Sequence, residues 1–206
     1  MSELVEAQTE IFALLKQKEE QLLSIRASDE PLIEKWQKFL GVILPIQIMV
    51  IRKHGYAGDQ KGLAEFNEKV VREAQTDLEL KKLNEGKWLY LFKTTFGLNE
   101  VKAISLEDAQ KMTREIADAM TSEEFLQKID EVMATLQEGS MLERRQRLLD
   151  VLLPVQMEVM ERYGFPGEEG YIQAQRAMMD YFFDPVVIKQ AQRAQDTIFK
   201  RAKLMG

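Results

Sequence analysis

Apolar residues recur along this chain at three- and four-residue intervals, and no stretch keeps the two-residue alternation of a half-buried strand. Leu4, Ile11, Leu14, Leu15, Leu22 and Ile25 hold helical spacing, which predicts one long helix over 3–25. Ser28-Asp29-Glu30-Pro31 reads as a helix start, with small polar residues, acids and an early proline, and the helix behind it runs to about His54. Further helices are expected over 60–75 and 78–95. Ser105-Leu106-Glu107-Asp108 has the form of a capping box with Asp in the place of Glu. A stop near Met120 and a new cap at Thr121 or Ser122 start a helix expected to end at Gly139. Helices over 141–163, 168–182 and 185–203 complete an all-α chain.

One segment occurs twice. Val42–Gly58 reads VILPIQIMVIRKHGYAG and Val151–Gly167 reads VLLPVQMEVMERYGFPG, with seven of 17 positions identical. Chance would give about one identity. Gly62 with Gly170, Asp77 with Asp184 and Phe92 with Phe199 extend the match. The expected organisation is therefore two related helical repeats, 1–98 and 104–206, joined by a polar connection near Asn99–Lys102. They form either one bundle-like domain or two lobes.

Each copy sets a proline, Pro45 or Pro154, inside an apolar helix. A proline there gives no hydrogen bond to the carbonyl four residues back, Gly41 or Asp150, so a kink or break is expected. Gln47 and Gln156 follow two residues later among aliphatic neighbours. A buried amide needs a partner, and a carbonyl freed at the kink is the nearest candidate. The segment closes on Gly55-Tyr56 or Gly164-Phe165, a glycine followed by an apolar residue, as in a Schellman stop. Lys53 and Arg162 in the last turn suit the helix dipole. These eight residues, Pro45, Gln47, Gly55, Tyr56, Pro154, Gln156, Gly164 and Phe165, are read as a structural motif.

The stretches from Ser105-Leu106-Glu107-Asp108-Ala109-Gln110 through Ala119-Met120-Thr121-Ser122-Glu123, and from Val151-Leu152-Leu153-Pro154-Val155 through Tyr163-Gly164-Phe165 to Gly170 and Asp184-Pro185, resemble the small eukaryotic protein C-ten family. A weaker copy fills the first half, where His54-Gly55-Tyr56 stands for Tyr-Gly-Phe. A tandem pair departs from the single copy usual in that family. The resemblance implies a small helical, non-enzymatic protein and brings no catalytic residues.

Composition adds mainly exclusions. The net charge of −6 divides as −2 over residues 1–100 and −4 beyond, so neither half concentrates the positive field that nucleic acid requires. Cysteine is absent, which rules out disulfides, thiolate metal sites and cysteine catalysis, and the reading is of a cytoplasmic protein. The nearly apolar run Val42–Ile51 is too short for a membrane span. No catalytic, metal or cofactor residues are expected. The one histidine, His54, is read as a half-buried ring at a helix end, and Arg144-Arg145-Arg147 as a solvated helix face. Nine of the 11 methionines lie at or beyond Met112, chiefly as core residues, so a pliable groove belongs to the second half if either has one.

The expected function is that of a non-enzymatic structural or adaptor protein working through helical protein–protein contacts, with the 3–25 helix available to pair with a partner. The alternative is a helical module that binds a small apolar ligand near the proline kinks. An unfamiliar enzyme using buried carboxylates ranks third.

Overall fold

The computed structural model describes residues 2–136 and 140–202, apart from the side chains of Met141, Leu142 and Arg145. The helix expected to end at Gly139, a residue outside those described, stops earlier at Ala134, where the Thr135 and Leu136 N–H groups turn back to the Val132 and Met133 carbonyls. Those described form ten α-helices and no strand, and the chain divides into two compact units, 1–103 and 104–206. Five helices build each: α1 Glu3–Lys16, α2 Glu19–Ala27, α3 Leu32–Lys53, α4 Gln60–Glu73 and α5 Leu78–Phe96, then α6 Leu106–Met120, α7 Glu123–Ala134, α8 Met141–Arg162, α9 Gly167–Met179 and α10 Pro185–Arg201.

The single helix expected over 3–25 is two helices. α1 ends at Lys16, the Lys18 N–H turns back to the Leu15 carbonyl at 3.0 Å, and α2 begins at Glu19. No side chain caps α2, so the break has no local signature. Its cause is tertiary. Both α1 and α2 pack on α3 and α5, and with the break between them Ile11 and Leu15 of one and Leu22 and Ile25 of the other are all buried. The apolar stripe of α1 is thereby covered inside its own repeat and is not free to pair with a partner. α7 makes the same turn with a visible cap, the Phe125 N–H donating to Ser122 Oγ at 3.3 Å.

Repeat one closes around aromatic rings. Phe39 lies 5.2 Å from both Trp36 and Phe96, and Phe92 lies 5.6 Å from Phe96 and 6.3 Å from Trp88. Repeat two uses smaller and softer residues. One cluster joins Leu126, Ile129, Leu148, Leu152 and Ile198, and another joins Met112, Met160, Phe165, Met178 and Val187. Met112, Met160, Met178 and Met179 are all buried core residues.

Candidate functional site

The duplicated segment forms the last 12 residues of α3 and of α8 and the turn behind each. Both helices run unbroken through their prolines, and Pro45 and Pro154 sit on the exposed side. The residues whose carbonyls the rings free, Gly41 and Asp150, are exposed as well. Residues two apart point about 200° away from each other on a helix, so Gln47 faces the core instead. It is 2% exposed, no hydrogen bond joins it to the Gly41 carbonyl, and its Oε1 has no partner. Gln156 is half-buried, with Nε2 3.8 Å from Met120 Sδ. Pairing of the glutamine with the kink carbonyl, expected from the sequence, is absent because proline and glutamine occupy opposite faces.

Gly55 and Gly164 adopt φ of 81° and 85°. In one repeat Tyr56 N–H donates to the Ile51 carbonyl at 3.1 Å and Gly55 N–H to the Arg52 carbonyl at 3.3 Å. In the other Phe165 N–H donates to Met160 at 3.1 Å and Gly164 N–H to Glu161 at 3.0 Å. These are the paired bonds of a Schellman motif. The next helix then crosses the turn so closely that a Cβ on Gly62 would meet the Ala57 carbonyl oxygen at 1.9 Å, and one on Gly170 would meet the Phe165 carbonyl carbon at 2.1 Å.

A polar clasp fastens the same helix end to the first helix of each repeat. Glu10 contacts Lys53 directly and lies 3.5 Å from His54 Nε2. In repeat two Tyr163 Oη donates to Glu115 at 2.6 Å and Arg162 lies 3.3 Å from the same carboxylate. The hydrogen bond from Lys53 holds the Glu10 carboxyl below its usual range. Burial, then the Glu115 hydrogen bond, pushes the Tyr163 hydroxyl up to about 12. Sequence reasoning had no signal for this clasp, because its carboxylates lie about forty residues from the helix end they hold.

The repeats differ where their first, third and fifth helices meet. Counted from the capping aspartates Asp77 and Asp184, Lys87 corresponds to Ala194, Trp88 to Gln195, Leu91 to Ile198 and Phe92 to Phe199. The buried faces of α1 and α6 align Leu4 with Ala109, Phe12 with Ala117 and Leu15 with Met120. In repeat one this seam is occupied: Lys87 and Trp88 are 1% and 4% exposed, and Lys87 Nζ donates to Gln8 Oε1 at 2.8 Å, 5.0 Å from the Trp88 ring centre. In repeat two the small residues leave an apolar groove of about 430 Å³ between α6, α8 and α10. Leu152, Met120 and Ile198 form its floor, Leu149 (42% exposed) stands on its rim, and Gln156, Gln190 and Gln195 supply its polar lining. The Gln190 Oε1 is buried without a partner. A separate cavity of about 460 Å³ in repeat one lies between the α1–α2 turn and the face of α3 bearing Pro45 and Met49.

Among the described residues no three His, Cys, Asp or Glu side chains converge as metal ligands, and no helix is long and apolar enough to cross a membrane. His54 is engaged with Glu10 in the clasp. Of the arginine cluster, Arg147 lies 3.9 Å from Asp150 on the exposed face of α8, and the Arg145 side chain is outside the described residues.

Fold and motif together define a tandem protein of two five-helix repeats, each built on a proline-bearing central helix with a Schellman stop. The family model for Protein C10 matches the chain twice, over residues 3–94 and 105–199, and the chain belongs to that family as a tandem duplicate. No curated protein and no solved structure matches it significantly.

Proposed function

We propose that this chain is a non-enzymatic structural or adaptor protein of the cytosol, acting through helical protein–protein contacts. The observation that carries the reading is the apolar groove of repeat two, where α6, α8 and α10 leave about 430 Å³ open and Leu149 stands on the rim. Exposed apolar surface is costly to keep on a folded unit, and where it is concave and framed by rigid helices it suits a partner's side chains. Even charge over the two halves and the absence of cysteine and of histidine clusters are consistent with docking in place of chemistry.

The test is affinity purification of the C-terminally tagged full chain from its source cell, with Leu149→Glu in parallel. A stoichiometric partner lost on Leu149→Glu, at unchanged melting temperature, supports docking through this face. A clean bait with no partner would sink the adaptor reading. Weight would then move to the second reading, a small apolar ligand held in the cavity beside Pro45, which native mass spectrometry would detect as added mass.

A further inference from the structure

We infer that the corner between α1 and α2 is a hinge for exchange between two copies of this chain: α1 and α2 straighten into one helix, and each α1 packs into repeat one of the other copy. The exchange is independent of the groove in repeat two. The repeats make this corner in different ways. In repeat two it is written locally: Ser122 Oγ accepts the Phe125 N–H at 3.3 Å, and Thr121 Oγ1 donates to the Ala117 carbonyl at 2.7 Å. The buried Met120 and Leu126 are six residues apart, so a straight helix would turn them about 120° from each other. Repeat one matches the far side of the corner, with Glu19-Glu20, Leu22 and Ile25 for Glu123-Glu124, Leu126 and Ile129, but Lys18 stands in place of Ser122 and no side chain caps α2. It also has one residue more between the buried positions, Leu15 and Leu22 being seven apart. On a straight helix Ile11, Leu15, Leu22 and Ile25 therefore share one stripe within an arc of about 80°.

The corner of repeat one is thus held by packing and not by its own residues. Lys16 to Gln21 are exposed and are all good helix formers. Straightening them pairs the last carbonyls of α1 with the first N–H groups of α2, which a helix start leaves without intrahelical partners. It also carries α1 off α3 and α5 and bares Leu4, Val5, Ile11 and Leu15, each at most 5% exposed in the closed unit. Such a stripe has to be covered, and the surface shaped to it is the seat vacated on a second copy. There Glu10 meets Lys53, Lys87 Nζ donates to Gln8 Oε1 at 2.8 Å, and the Phe12 ring meets Tyr90 edge-on at 5.6 Å. These contacts are the same whether α1 comes from its own chain or another. The closed and exchanged forms therefore differ only at the corner and in the entropy of association, and concentration decides between them.

To test this, the full chain is unfolded in urea and refolded at low and at high concentration as an equal mixture of isotope-labelled and unlabelled molecules, then separated by size. A carbodiimide joins the Glu10 carboxylate to the Lys53 amine, and mass spectrometry of the joined peptides tells whether they come from one chain or two. Expected is a dimer whose share rises with concentration and whose Glu10–Lys53 amides include labelled peptides joined to unlabelled ones, whereas those of the monomer join like to like. Lys18→Ser gives repeat one the cap of repeat two. It favours the corner about fivefold in each chain and so lowers the dimer association constant about 25-fold. The substitution strengthens the native corner, so the melting temperature is unchanged or raised. If refolding at high concentration precipitates the chain, warming the concentrated native protein to just below its melting temperature opens repeat one and reads the same exchange. A monomer at every concentration, a dimer whose Glu10–Lys53 amides all lie within single chains, or a dimer share indifferent to Lys18→Ser overturns the inference.

Discussion

Gly170→Ala is the sharpest probe of the architecture, since alanine normally stabilises a helix and here it should do the reverse. The added Cβ would lie 2.1 Å from the Phe165 carbonyl carbon, 2.3 Å from its oxygen and 2.9 Å from its Cα. Carbon atoms rest at about 3.5–4.0 Å, so the start of α9 and the turn must part by about 1.4 Å. Neither side yields easily. Phe165 is pinned by its N–H bond to the Met160 carbonyl, and its ring is 2% exposed among Met112, Met160 and Val187. Overpacking typically costs about 1–3 kcal/mol, and contact with backbone in place of a mobile side chain puts this site at the upper end. The helix-propensity gain of about 1 kcal/mol offsets part, leaving a net loss of about 2 kcal/mol. For a chain of this length that lowers the melting temperature by about 4–8 °C. Urea and thermal melts followed at 222 nm measure it. Gly62→Ala should behave alike, its Cβ meeting the Ala57 carbonyl oxygen. Gly86→Ala, with nothing within 4 Å of its Cβ, should instead stabilise by up to about 1 kcal/mol. If Gly170→Ala melts at or above the unsubstituted chain, the close crossing of turn and helix is wrong.

Other expectations follow from single contacts. Pro45→Ala and Pro154→Ala restore a helical hydrogen bond on an exposed face and should stabilise, by up to about 3 kcal/mol each in chemical denaturation; a loss would mean that the rings are packed. Gln47→Met removes a buried amide oxygen without a partner and should raise the denaturation midpoint by about 1 kcal/mol equivalent, whereas a drop of that size would reveal a partner for the amide. Tyr163 has its folded pKa raised to about 12, so its contribution is whole below the ordinary value of 10 and is lost as pH rises towards 12. Tyr163→Phe should flatten that part of the alkaline decline in stability, and an unchanged slope would refute the clasp. Glu10 has its folded pKa lowered, so its contribution is present above the ordinary 4.5 and lost as pH falls through the lower folded value. Glu10→Gln should therefore matter at neutral pH and not in strong acid. Added salt should shrink the difference, the pair being partly exposed.

Much of the local structure was legible because it is written in short-range rules. Ser105 and Ser122, read as caps from the sequence, each accept a backbone N–H at a helix start, and Asp59, Asp77 and Asp184, not read as caps there, do the same. A complete capping box was overlooked at Ser140, although Ser-x-x-Glu stands directly before α8 and both bonds form, Glu143 N–H to Ser140 Oγ at 3.2 Å and Ser140 N–H to Glu143 at 2.7 Å. Gly55 and Gly164 could be read as left-handed stops because a glycine followed by an aromatic after a long apolar helix has few other uses. The break at Gln17–Lys18 was not legible, because no cap marks it and the apolar spacing continues across it.

The sequence by itself determined the helical class, most of the helices, the two glycine stops and the duplication, since periodicity, caps and glycines act within a few residues and repeat in both halves. It also supplied the family, because the proline, the stop and the second glycine recur at fixed distances. Only the tertiary structure decided which face each residue of the motif takes. It set the prolines towards water and Gln47 into the core, joined Glu10 to Lys53 and Glu115 to Tyr163 across some forty residues, and exposed the exchange of Lys87 and Trp88 for Ala194 and Gln195 as a filled seam and an open one. The physical reason is that single exchanges on separate helices, each compatible with helical periodicity, do not say what volume they leave between those helices. Alanine satisfies helical periodicity as well as a larger residue does, and a groove is an absence of volume that appears only when three helices are brought together.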